Sequence, residues 1–179
     1  MTILNDASAA QVNAADPSRS TWVSANAGSG KTRVLTDRVA RLLLRDVRPE
    51  RILCLTYTKA AATHMQNQLF DRLGGWAMLN DQKLREALVE LGESPEKLTA
   101  SDLSRARTLF ASALETPGGL KIQTIHSFCA SLLRRFPLEA GVSPNFQEMD
   151  ERTARRVRTE GLEIMALDDQ GQVFERMAE

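Results

Sequence analysis

The chain has 179 residues, enough for one domain or for one domain and the start of a second. Its 42% hydrophobic and 5% aromatic content points to helices packed through Leu, Ala and Val, and 23 Lys plus Arg balance 23 Asp plus Glu, so no net field draws in nucleic acid or an anionic membrane. No run reaches the length of a membrane span, no basic-then-apolar leader opens the chain, and Cys54 and Cys129 lack C-x-x-C spacing, which together lead us to expect a cytoplasmic protein with no membrane role and two reduced, packed thiols.

Residues 1–19 are small and polar, with a turn at Asp16-Pro17-Ser18 and Gln11 in a short Ala-rich piece. Thr21, Trp22 and Val23 favour a strand. It leads into Val23-Ser24-Ala25-Asn26-Ala27-Gly28-Ser29-Gly30-Lys31-Thr32, a small-residue loop at the start of a helix. Gly28 and Gly30 permit positive φ, so successive backbone N–H groups can converge on one anion. Lys31 can reach β- and γ-phosphates, the Thr32 hydroxyl can bind the accompanying Mg²⁺, and the helix dipole adds to the same spot. Ala25 stands where G-x-x-x-x-G-K-[ST] has its first glycine. This pattern predicts a phosphate-binding loop.

Val34, Leu35, Val39, Leu42 and Leu43 then give one apolar helix face, closed by Asp46 to Pro49. Ile52 to Tyr57 reads as a central strand of a parallel sheet, with Thr58 as cap of the next helix. That helix carries Ala62, Met65, Leu69 and Leu73 at helical spacing and is expected to stop at Gly74-Gly75. Strand, helix, strand, helix implies an α/β domain with right-handed crossovers. Residues 76–119 read as a helical insertion at one edge of the sheet, with Leu84, Leu88 and Leu91 in one helix and Leu103 to Leu114 in another. A third strand follows at Leu120 to Thr124, then a helix from Ile125 to Phe136, ended by Pro137. Phe128 and Cys129 fall on its core stripe. Asp150 to about Leu167 is a charged amphipathic helix, with Asp150 placed to cap it.

Three segments together carry a resemblance. Ala25 to Thr32 is similar to the phosphate loop of UvrD/Rep/RecB-like superfamily-one DNA helicases, which often begins with alanine. Thr56-Tyr57-Thr58-Lys59-Ala60-Ala61-Ala62-Thr63-His64-Met65 resembles their T-[FY]-T strand end before an Ala-rich helix. Thr124-Ile125-His126-Ser127-Phe128 resembles their T-x-H-[SAG]-F segment. The continuation Leu133-Arg134-Arg135-Phe136-Pro137-Leu138-Glu139-Ala140-Gly141 looks most like the AddA branch, the helicase–nuclease subunits of bacterial double-strand break repair.

That resemblance implies an α/β fold: a partial P-loop NTPase (RecA-like) parallel sheet flanked by helices, with a helical insertion and the start of a helical subdomain. Residues 1–145 would be the N-terminal part of the ATP-binding motor domain, and 146–179 the truncated beginning of the subdomain. ATP and Mg²⁺ would be the cofactors, held by Ala25, Asn26, Ala27, Gly28, Ser29, Gly30, Lys31 and Thr32, with Thr32 toward the metal. Gln11 would read adenine, since a side-chain amide can pair with N6 and N7; a solvated helix position is the competing reading. Thr56, Tyr57, Thr58, Lys59, Thr124 and His126 would line a DNA groove, Tyr57 stacking on a base unless it caps the strand in the core. Lys59 falls one position earlier than in T-F-T-N-K-A-A, which leaves phosphate and solvent equally open to it. The partners implied are single-stranded or duplex DNA and an AddB-like protein.

Hydrolysis also needs an Asp for Mg²⁺ and a Glu that polarises water. Glu148-Met149-Asp150-Glu151 lacks an apolar strand before it, and Ile164 to Asp169 continues a helical pattern, so neither supplies the acidic motif. The expected role of these residues is therefore ATP binding without turnover, within what the resemblance implies is a 3′→5′ helicase of break repair and recombination. A P-loop kinase would need an arginine-rich lid and an acceptor site. A non-catalytic interaction module would use the helices at 76–119.

Overall fold

The computed structural model describes residues 6–24, 26, 28 and 30–167. Two compact units divide the chain after Phe128. The first contains α1 (Asp6–Ala14), α2 (Lys31–Leu44), β1 (Leu53–Thr56), α3 (Lys59–Met78), α4 (Asp81–Leu91), α5 (Ala100–Leu114) and β2 (Lys121–Thr124). The helix α6 (Ile125–Arg135) follows β2 directly, and α7 (Glu151–Leu167) belongs to the second unit.

β1 and β2 pair in parallel, with Cys54 opposite Ile122 and Thr56 opposite Thr124. The connection between them is α3 to α5, so the α/β expectation holds, with a small sheet. The predicted strand at Thr21 to Val23 does not form. Residues 21–24 join no ladder, and Trp22 is 92% exposed. Strand propensity describes how a side chain suits a pleated, half-buried surface, and here no described segment offers that surface.

α3 organises the first core. Met65, Leu69 and Leu73 recur at helical spacing and are sealed from solvent. They pack into one cluster with Val39, Ala40 and Leu43 of α2, Leu84 and Leu88 of α4, and Leu103, Ala106 and Leu109 of α5. The insertion is thus part of the main core. Each fully buried Leu here contributes about 1.5–3 kcal/mol relative to an exposed one.

The expected stop at Gly74-Gly75 is overridden, because α3 continues to Met78. Trp76, beyond the glycines, is buried, and a Cβ on Gly74 would lie 3.6 Å from the Phe110 ring of α5. Phe110 meets Phe70 edge-to-face with centroids 6.0 Å apart. Packing of Trp76 and Phe110 outweighs the roughly 1 kcal/mol that each glycine costs a helix.

The ends of the helices follow their side chains. Thr58, Asn80 and Thr99 each accept a bond from the backbone N–H three residues on, and Thr99 with Asp102 closes a capping box. α2 ends where Asp46 takes φ 64, and the Val47 N–H reaches back to the Leu42 carbonyl.

In the second unit Arg134 pairs with Glu148 at 3.0 Å and lies 5.3 Å over the Phe146 ring. Asp150 caps α7 by accepting from the Thr153 N–H at 2.7 Å, as its position predicted. That bond holds its carboxyl below the usual range. Cys129, expected to be packed, is exposed, as are Leu132 and Phe136 on the same face. Helical periodicity locates an apolar face without supplying what covers it.

Candidate nucleotide and nucleic-acid site

The described part of the phosphate loop has the predicted backbone. Gly28 and Gly30 adopt φ 78 and 84. Gly30 is the N-cap of α2 and has no side-chain cap of its own, and it sets the positive end of the helix dipole at the loop. Lys31, the first residue of α2, donates from Nζ to the Asn26 carbonyl at 2.6 Å, which folds it across the loop. Thr32 follows within the same turn. Ala25, Ala27 and Ser29 lie outside the described residues, as does Asp168 of the Ile164 to Asp169 stretch, the better of the two acidic-motif mimics in the sequence.

Gln11 is brought to this loop from twenty residues upstream. A Cβ built on Gly30 would sit 2.9 Å from the Gln11 amide nitrogen, so the amide occupies the space a side chain at position 30 would need. The sequence alone offers no local reason for that proximity. It comes from α2, whose arginines at 38, 41 and 45 hold the N-terminal segment. Arg38 donates to the carbonyls of Asp16 at 2.6 Å and Arg19 at 2.7 Å. Arg41 donates to the Val12 carbonyl at 3.0 Å. Arg45 meets the Asp16 carboxylate at 3.4 Å. Asp16 also accepts from the Ser18 N–H, and these bonds, with help from the nearby arginines, lower its pKa to about 2. The stripe is visible in the sequence as three arginines at helical spacing, but its acceptors are not.

Asp37 on α2 is buried between Arg72 of α3 and Arg33, and burial raises its pKa despite both cations. It ties α2 to α3 behind the loop.

The second set of predicted residues gathers at the carboxyl end of the sheet. Because Thr56 faces Thr124 in the register, the exits of β1 and β2 lie side by side. Tyr57 is 85% exposed there, which removes the core-capping reading. Thr56 donates to the Thr58 carbonyl at 3.0 Å, and Thr58 accepts from the Ala61 N–H at 3.1 Å. Thr124 is buried and caps α6, accepting from the Ser127 N–H at 3.2 Å and sharing a 2.9 Å bond with its hydroxyl. Lys59 and His126 are exposed in the first turns of α3 and α6. Tyr57, Lys59 and His126 are thus presented to solvent, whereas the threonines chiefly shape the backbone between them. His64 is exposed and lies off the apolar stripe of α3.

Among the described residues no three His, Cys, Asp or Glu are grouped to hold a metal, and no helix is long and apolar enough to cross a membrane.

The sequence model of the UvrD/REP helicase N-terminal domain matches residues 4–178. The chain belongs to that family. It is also similar to proteins named as ATP-dependent helicase/nuclease subunits. The one from Pelotomaculum thermopropionicum is 33% identical over 158 residues, 86% of this chain and 10% of that protein. The one from Desulforamulus reducens is 35% identical over 144 residues, covering 79% and 10%. The one from Bacillus pumilus is 31% identical over 150 residues, covering 82% and 10%. The chain therefore spans about a tenth of the length of these relatives.

Proposed function

We propose that the chain is the nucleotide-binding N-terminal part of an ATP-driven, 3′→5′ DNA helicase that acts in double-strand break repair and recombination with an AddB-like partner. The observation that carries this reading is the loop: two glycines at positive φ lead into α2, Lys31 lies at its first position, and the Gln11 amide lies over Gly30. Within it, Ala25 to Thr32 cradle the triphosphate, Thr32 faces Mg²⁺ and Gln11 reads the adenine edge. Tyr57, Lys59 and His126, with Thr56, Thr58 and Thr124 behind them, form one wall of a single-strand groove. Residues 1–145 serve as motor-domain core, and 146–179 begin a helical subdomain.

Mg²⁺, held through the Thr32 hydroxyl, would supply charge neutralisation to the triphosphate. The chain's own residues do the holding. Loop N–H groups and the α2 terminus face the phosphates, Lys31 leaves the Asn26 carbonyl for an oxygen anion, and Gln11 fixes the base. These residues bind nucleotide and do not turn it over, because neither Glu148 to Glu151 nor Ile164 to Asp169 reads in the sequence as the acidic strand end that hydrolysis needs. An ATPase assay on the chain with single-stranded DNA tests that point, and robust DNA-stimulated turnover would reject it. In the intact helicase Lys31→Ala should abolish unwinding while leaving the fold in place; retained unwinding would overturn the assignment.

A further inference from the structure

Arg41 is the most buried arginine of the stripe, with its side chain only 6% exposed. A buried guanidinium persists only where its donors are met, and here three acceptors meet it. Nε faces Glu93 Oε1 at 3.1 Å, Nη1 the Val12 carbonyl at 3.0 Å, and Nη2 the Gly92 carbonyl at 3.3 Å. Val12 lies in the last turn of α1, and Gly92 is the C-cap of α4. One cation thus sits at the carboxyl ends of two helices, where orphan carbonyls and the negative dipole end both favour it.

Gly92 makes that approach possible. Its φ is +105, and a Cβ there would come within 2.4 Å of Val12 Cγ1 and 3.1 Å of Arg41 Nη1. The end of α4 is therefore pressed directly against the residue next to Gln11. A continuous set of contacts runs from Glu93 and Gly92 through Arg41 to Val12, Gln11 and Gly30.

We infer that Arg41 is a positioning residue for the base-reading Gln11, and that it couples the helical insertion, through Gly92 and Glu93, to the nucleotide site. This rests on the adenine-reading role of Gln11 proposed above. Arg38 and Arg45 hold residues 16–19, whereas Arg41 reaches into α1 itself. Removing its donors frees the last turn of α1 while the loop glycines and Lys31 keep their own geometry.

The test uses the 179-residue chain, with ATP and tripolyphosphate competing against a fluorescent ATP analogue. Gln11→Ala should lower the preference for ATP over tripolyphosphate by about tenfold, as loss of a paired amide–adenine contact implies. Arg41→Met, which keeps the apolar stem, should lower the same ratio about three- to tenfold and leave tripolyphosphate binding within about twofold. An equal loss for both ligands would mean that Arg41 only stabilises the fold, and would overturn the inference. An unchanged ratio in Gln11→Ala would instead reject the adenine-reading role, and the inference with it.

Should Arg41→Met fail to fold, hydrogen exchange on the unmodified chain decides. ATP should slow exchange at residues 11–15 and also at 92–94, whereas tripolyphosphate should protect the loop alone. ATP protection confined to the loop would overturn the coupling.

Discussion

Two alanine substitutions in the phosphate loop separate the backbone's contribution from that of Gln11. Gly28 and Gly30 have nearly the same φ, 78 and 84, so forcing an L-residue into either costs about 1–2 kcal/mol. Their surroundings differ. A Cβ on Gly28 meets nothing within 4 Å, whereas one on Gly30 meets the Gln11 amide at 2.9 Å. Gly28→Ala should therefore weaken ATP and tripolyphosphate alike, by roughly five- to thirtyfold. Gly30→Ala should weaken tripolyphosphate to the same degree. It should also displace the Gln11 side chain, adding a further loss of about 1–3 kcal/mol for ATP only. Competition titration against a fluorescent ATP analogue reads both ligands, and far-ultraviolet circular dichroism confirms that the helices are retained. Identical ATP-to-tripolyphosphate ratios in the two variants would refute the reasoning, because the Gln11 contact would then have no part in binding.

Other consequences are more local. Leu88→Ala, at a fully buried α4 position, should cost about 2–5 kcal/mol in urea denaturation, and a loss under about 1 kcal/mol would mean that the insertion is not part of the core. Asp16 has a folded pKa of about 2, below its unfolded value, so its contribution is complete above about pH 4 and is lost as pH falls toward 2. Asp16→Asn should flatten the acid side of the stability profile in that window; an unchanged slope would contradict the assigned bonds. Tyr57→Ala should weaken single-stranded oligonucleotide binding by about 1–3 kcal/mol without affecting ATP, as loss of one stacking platform requires, and unchanged oligonucleotide binding would remove Tyr57 from the groove.

Local signals are legible in the sequence where the local backbone decides. The glycines of the loop, the Thr58 and Asp150 caps and the leucine spacing of α3 to α5 all appear as their residue chemistry dictates. The departures share a different origin. Gly74-Gly75 is a helix stop by propensity, but Trp76 and Phe110 supply distant packing that carries α3 through it. Thr21 to Val23 have strand residues and no described strand beside them. Cys129 lies on an apolar helix face yet is exposed. The place of Gln11 beside Gly30 is implied by the resemblance, whereas the contact of Arg41 with the Val12 carbonyl, 29 residues earlier, has no signal in the local sequence. Sequence periodicity specifies which face a residue occupies, while the identity of the opposing surface is a tertiary property.

The central claim is that one unit of this chain carries both a triphosphate site and a DNA-contacting edge. Titrating the purified chain with labelled ATP and, separately, with a labelled single-stranded oligonucleotide tests it most directly, alongside Lys31→Ala. Both ligands should bind, and Lys31→Ala should remove ATP binding while sparing the oligonucleotide. ATP binding without DNA binding would point to a phosphotransferase, and binding of neither, or ATP binding indifferent to Lys31, would contradict the account.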